Sequence, residues 1–155
     1  MGEIRDLINE CKRVLDEDKT SIFKQIADFV EGARTSDSVT HYLFHIDDRS
    51  WFTIYFHHCE KTEELSDDDL KTPKFLETAV NEAGKISEDD DGDDENTFFA
   101  EVNDEVMNII SDAWKKAGGL KLKAPCYITF HDADYYYDIA QDKVFGEDDL
   151  EGILS

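Results

Sequence analysis

The sequence predicts a single α+β domain, in which an antiparallel sheet of two β-hairpins packs with four main helices. Three observations predict it. From Thr40 to Cys59, THYLFHIDDRSWFTIYFHHC, the residues Tyr42, Phe44 and Ile46 alternate with His41, Leu43 and His45. A polar Asp47-Asp48-Arg49-Ser50 turn follows, and Trp51 to Phe56 returns with aromatic and β-branched residues. A second stretch of the same kind, CYITFHDADYYYDIA, runs from Cys126 to Ala140 and turns at His131-Asp132-Ala133-Asp134. Four further segments repeat their apolar residues with helical spacing. At 155 residues the chain suits one domain with a core of its own.

The first helix is expected over 3–17, with Ile4, Leu7, Ile8, Cys11, Val14 and Leu15 on its buried side. The DEDK segment breaks it. Thr20 or Ser21 can cap a second helix, over 21–34, whose stripe is Ile22, Ile26, Phe29, Val30 and Ala33. The first hairpin, over 41–58, comes next. Pairing Ile46 with Trp51, Phe44 with Thr53, Tyr42 with Tyr55 and Leu43 with Ile54 gives two largely apolar faces, both of which need cover.

The EKTEELSDDDLKT stretch then reads as an acidic connection. Thr72-Pro73 is a helix start, because a helix tolerates Pro at its first position. The third helix, 73–83, buries Phe75, Leu76, Ala79, Val80 and Ala83 and ends at Gly84. The SEDDDGDDEN run from Ser87 to Asn96 has no apolar residue and reads as a mobile solvated loop. A fourth helix over 98–117 buries Phe99, Val102, Val106, Ile109, Ile110, Ala113, Trp114 and Ala117, and Gly118-Gly119 ends it. The second hairpin covers 126–140, and a short helix from Glu147 to Leu154 closes the chain. Helix two with the first hairpin resembles helix four with the second, in order and aromatic density. Two adjacent hairpins make a four-stranded antiparallel sheet.

Charge is the outlier in the composition. The chain has 38 acids against 16 bases, a net −22. Half of it lies between Glu60 and Glu95, where 15 acids face 4 bases. Such a surface repels nucleic-acid phosphates and anionic membranes and attracts basic proteins. The three cysteines, Cys11, Cys59 and Cys126, are far apart and odd in number, and they read as reduced thiols of a cytosolic protein. The start MGEIRDL has no apolar signal core, and Asp6 stands where N-myristoylation needs Ser or Thr.

The remaining residues include candidates for catalysis and for metal binding. His41 and His45 point the same way but sit about 13 Å apart along a strand. His57 and His58 point to opposite faces. His57 and Cys59 share a face, yet no further ligand pair has a zinc spacing, and His131 stands alone. Ser87, Asp89 and Asp91 fit the first positions of a calcium loop around Gly92, but its twelfth position holds Phe98 where Glu is needed. Asp132, Asp134 and Asp138 near Tyr135, Tyr136 and Tyr137 could suggest a carboxylate active site, but they read as turn carboxylates bonded to their own backbone. No GxSxG, Walker loop, dinucleotide fingerprint or HExxH is present. Lys115, Lys116, Lys121 and Lys123 suit a helix C-terminus. The expectation is a protein that is not an enzyme and has neither metal nor cofactor.

In size, acidity, missing chemistry and mixed helix-and-hairpin make-up the chain resembles the bacterial immunity proteins. The resemblance is of overall character and carries over no site residue. It implies a cytoplasmic inhibitor in a tight stoichiometric complex with a cognate toxin, often a basic nuclease, whose active site it occludes. It also implies no direct contact with nucleic acid or membrane. Partner-binding candidates are Asp67, Asp68 and Asp69, then Asp89, Asp90, Asp91, Asp93 and Asp94, with Trp51 and Tyr136 as aromatic anchors. The alternatives are a nucleic-acid mimic or acidic chaperone for basic proteins, and an enzyme with a diffuse site.

Overall fold

A computed structural model of the chain describes residues 2–33, 39–47, 53–60, 63–87, 93–122, 124–130 and 135–146, with residues 2, 60, 63–68 and 93 described by their backbone alone. The elements run α1 (Gly2–Glu17), α2 (Lys19–Ala33), β1 (His41–Asp47), β2 (Thr53–Glu60), β3 (Glu63–Leu70), α3 (Phe75–Ile86), α4 (Asp93–Lys116), a 3₁₀ turn (Gly119–Lys121), β4 (Cys126–Phe130), β5 (Tyr135–Asp138) and β6 (Lys143–Gly146). The chain is α+β, with four helices and one six-stranded sheet in the order β3-β2-β1-β4-β5-β6.

The helices follow from their apolar spacing. Ile4, Ile8, Cys11 and Leu15 of α1 are buried, as are Ile22, Ile26, Val30 and Ala33 of α2. The DEDK segment interrupts the helix by a single residue. Asp18 N–H still donates to the Val14 carbonyl (3.1 Å), and Ile22 N–H donates to the Asp18 carbonyl (3.0 Å). Thr72-Pro73 stands outside α3, where the Pro73 carbonyl accepts from Leu76 N–H (3.1 Å). At the other end α3 runs through Gly84 to Ile86. The fourth helix begins at Asp93, within the stretch expected to be a loop. Its first turn holds Asp93, Asp94 and Glu95, where acids favour the positive end of the helix dipole. Buried Ser87 accepts from Glu95 N–H through its hydroxyl (2.6 Å), fastening the end of α3 to the start of α4. Residues 88–92, and the helix expected over Glu147 to Leu154, lie outside the described residues. Lys115 and Lys116 occupy the last turn of α4, and left-handed Gly118 (φ 92°) ends it as expected.

The sheet departs from expectation in three ways. It is mixed rather than purely antiparallel: β1 pairs with β2, and β4 with β5, antiparallel, but β1 and β4 meet parallel in the middle. Parallel neighbours need a long crossover, and the helices α3 and α4 supply it between β3 and β4. It also has two strands that were not expected, β3 and β6. Finally, the β1–β2 register puts Phe44 opposite Phe56 and Ile46 opposite Ile54, not Thr53 and Trp51. The offset is three residues, an odd number, so the faces of β2 are exchanged. In the observed register the large apolar groups of both strands share one face. Trp51 itself lies outside the described residues.

That face packs with all four helices. Tyr42, Phe44, Ile46, Ile54, Phe56, Cys126 and Ile128 join the helical stripes in one core. Trp114 sits at its centre, 1% exposed, its ring 5.7 Å from those of Tyr42, Phe44 and Phe56. Gly119 is packed directly against the Trp114 indole, so a Cβ there would overlap the ring. The opposite face carries a smaller cluster of Leu43, Cys59 and Tyr127, with Tyr136 packed on it.

The two halves share the order helix, helix and three strands. They are not rotational copies. The strands run outward to opposite sides from the parallel β1–β4 pair, while the helices of both halves join one core. Only a reflection relates two such halves, and L-amino-acid chains cannot be superposed by reflection.

Candidate functional site: the acidic rim of the sheet

EELSDDDL is a poor strand by composition, since Asp and Glu are depleted in sheets. What makes it β3 is its surroundings. The neighbouring β2, TIYFHHCE, is rich in β-branched and aromatic residues, and β1 occupies only one of its edges. The other edge carries backbone donors and acceptors that need partners. β3 supplies them in antiparallel register, Ile54 with Leu70, Tyr55 with Asp69, Phe56 with Asp68, His57 with Asp67 and His58 with Ser66, followed by a bulge at His58/Cys59. Leu70, 2% exposed, anchors the strand in the core. Gln25 of α2 holds the exit: Lys71 N–H donates to its Oε1 (2.7 Å), and its Nε2 donates to the Lys71 carbonyl (2.9 Å).

This arrangement gathers Asp67, Asp68 and Asp69 on the sheet-terminal strand together with Glu63 and Glu64. Asp69 is exposed. The other expected binding residues are not brought to this strand. Asp93 and Asp94 stand in the first turn of α4, and Asp89, Asp90, Asp91 and Trp51 lie outside the described residues. Tyr136 is on β5, four strand spacings from β3, or about 19 Å. It is half-buried against Leu43, Cys59 and Tyr127.

The polar groups expected to be structural can be placed. Asp138 is 2% exposed, and its Oδ1 accepts from Ala140 N–H (2.9 Å) and Gln141 N–H (3.3 Å), a turn carboxylate bonded to its own backbone. Asp132, Asp134 and His131 lie outside the described residues. Replacing Asp138 with Ala removes two hydrogen bonds to a carboxylate and is expected to cost about 1–3 kcal/mol. Asn keeps the accepting oxygen and should cost less, and urea midpoints of the two variants give the comparison.

His41, His57 and Cys59 share the face away from the helices, with His45 beside His57 (ring centroids 6.3 Å apart). Among the described residues no three His, Cys, Asp or Glu side chains converge as a metal site. The three cysteines are free and buried, and burial pushes the Cys11 thiol up to about 12. Burial holds His41 down, at about 4 against an ordinary 6.5. An unfolded chain therefore takes up this proton first as the pH falls. The stability held by neutral His41 is complete above pH 6.5 and is lost progressively towards pH 4, by about 3 kcal/mol. A His41→Gln variant should lack this loss. The stability difference between the two proteins, measured at each pH, isolates it from the other titrating groups.

Two grooves lie on the described surface. One, of about 240 Å³, lies between α2 and α4 and is lined by Lys19, Phe23, Ile109, Asp112 and Lys116. The other, of about 200 Å³, lies beside Trp114, Leu122 and Cys126. Neither lining holds the paired carboxylates that acid–base catalysis uses. Elsewhere Arg5 donates two hydrogen bonds to Glu101 (2.7 and 2.6 Å), joining α1 to α4 and holding that carboxyl down at about 2. Among the described residues no helix is long and apolar enough to cross a membrane.

No family model, curated protein or solved structure matches the chain.

Proposed function

We propose that the chain is an acidic, cytoplasmic immunity protein. It binds one cognate basic toxin and occludes its active site, with carboxylates occupying the cationic groups that would otherwise hold substrate phosphate. The observation that carries this reading is the lining-up of Glu63, Glu64, Asp67, Asp68 and Asp69 on one strand at the limit of the sheet, in a chain of net −22. Several like charges carried on one strand steer an oppositely charged partner to one place. The same charge repels nucleic acid and anionic lipid.

The test is made with the protein encoded beside this chain in its genome. A stoichiometric complex that abolishes the neighbour's toxicity is the expected result. If no neighbour is toxic, or if the toxic neighbour is neither bound nor neutralised, the reading fails. Binding of several unrelated basic proteins with similar affinity supports the nucleic-acid mimic in its place.

A further inference from the structure

We infer that the outer edge of β3 is itself the docking element, and that an extended Lys- or Arg-rich segment of the partner adds to it as a seventh strand. The inference rests on the proposed binding of a basic partner and specifies how the contact is made.

In an antiparallel pair, backbone N–H and C=O groups turn alternately towards one neighbour and the other. β3 has β2 on one side, and among the described residues no strand pairs with its other side. Glu63–Leu70 contains neither Pro nor Gly, and on one side of the bulge Ser66–Leu70 forms a regular edge about 16 Å long. Half of its backbone groups face outward.

An open edge of this length would ordinarily invite pairing with another copy. Five carboxylates on the strand oppose that, because a second copy would set like charges side by side. The protection has a sign. An acidic or neutral strand is refused, whereas a strand bearing Lys or Arg gains cross-strand ion pairs while it satisfies the open backbone groups. The opposite edge is a poorer docking place. β6 is four residues long, opens with Lys143 directly after left-handed Asp142, and carries no acid.

The probe is a peptide of about ten residues alternating Lys with Val, titrated into the full chain. One companion peptide carries N-methyl groups on two adjacent central residues, which removes donors from both of its edges and keeps its charge. Another replaces Lys with Glu. Hydrogen exchange locates the contact. Expected are one-to-one binding of the Lys peptide, slowed exchange within 63–70, and affinity about tenfold or more lower for the N-methylated peptide. The Glu peptide should not bind. In the Asp67→Lys, Asp69→Lys double variant the preference should turn towards the Glu peptide.

Equal binding of the plain and N-methylated peptides would show attraction by charge alone and overturn edge addition. So would protection confined to another segment, or no binding of the Lys peptide. These outcomes separate from those of the functional reading. A toxin neutralised without protection of 63–70 keeps the immunity reading and ends this one. Edge addition without any toxic neighbour does the reverse.

Discussion

Replacing Trp114 with Ala is expected to destabilise the fold by about 3–5 kcal/mol, the cost of removing a large buried aromatic side chain and leaving a cavity. The indole is 1% exposed and touches three aromatic rings of β1 and β2 from its place on α4. It thereby joins the longest helix to the centre of the sheet. Gly119 tests the same contact from the other side. An added methyl group at this buried position meets the Trp114 ring, which is packed in turn against Tyr42, Phe44 and Phe56. Gly119→Ala should cost about 1–3 kcal/mol by overpacking. With Trp114 already replaced by Ala, the methyl has space. The double variant should therefore be less damaged than the sum of the single ones, with a coupling of about 1 kcal/mol or more. Urea unfolding of the four proteins measures it. Strict additivity would show that the two residues do not press on one another.

This contact also shows what the sequence could and could not disclose. Helical stripes such as Ile22, Ile26 and Val30, or Val106, Ile110 and Trp114, depend only on spacing within one segment, and they are buried as expected. Pairing between segments is a different matter. Phe44 could face Thr53 or Phe56 without altering the alternation of either strand. The choice is made by the helix layer, which gathers Phe29, Phe44, Phe56 and Trp114 into one aromatic cluster. The start of α4 was hidden for an opposite reason. Asp93, Asp94 and Glu95 look like a solvated run, yet acids at an N-terminal turn are stabilised by the helix dipole. β3 was hidden most completely, because its composition argues against a strand, and the need it answers belongs to β2. The clue was present in TIYFHHC, a strong strand with one edge taken by β1 and the other left to fill. The acidity of Asp67, Asp68 and Asp69 was legible from the start, but their alignment on the sheet edge was not.

Neutralising that alignment should have a large functional effect if the chain captures a basic toxin. Long-range attraction acts before contact, so it raises the association rate and has little influence on how long the complex lasts. Asp67→Asn, Asp68→Asn and Asp69→Asn together remove three of 38 acids, and all three stand on the proposed docking strand. Association should slow by roughly tenfold at low ionic strength. The gap should narrow as salt rises towards physiological strength, where screening acts over about 8 Å. Dissociation should change far less, because well-packed side chains set it. A control replaces Glu3, Glu17 and Asp112 with their amides. It makes the same change in net charge at exposed positions on α1 and α4. If steering depends on the rim, the control should slow association much less than the β3 variant. If the two variants slow it equally, net charge alone does the steering. If neither does, the acids of β3 have no part in the encounter, and the rim is an edge protected against pairing.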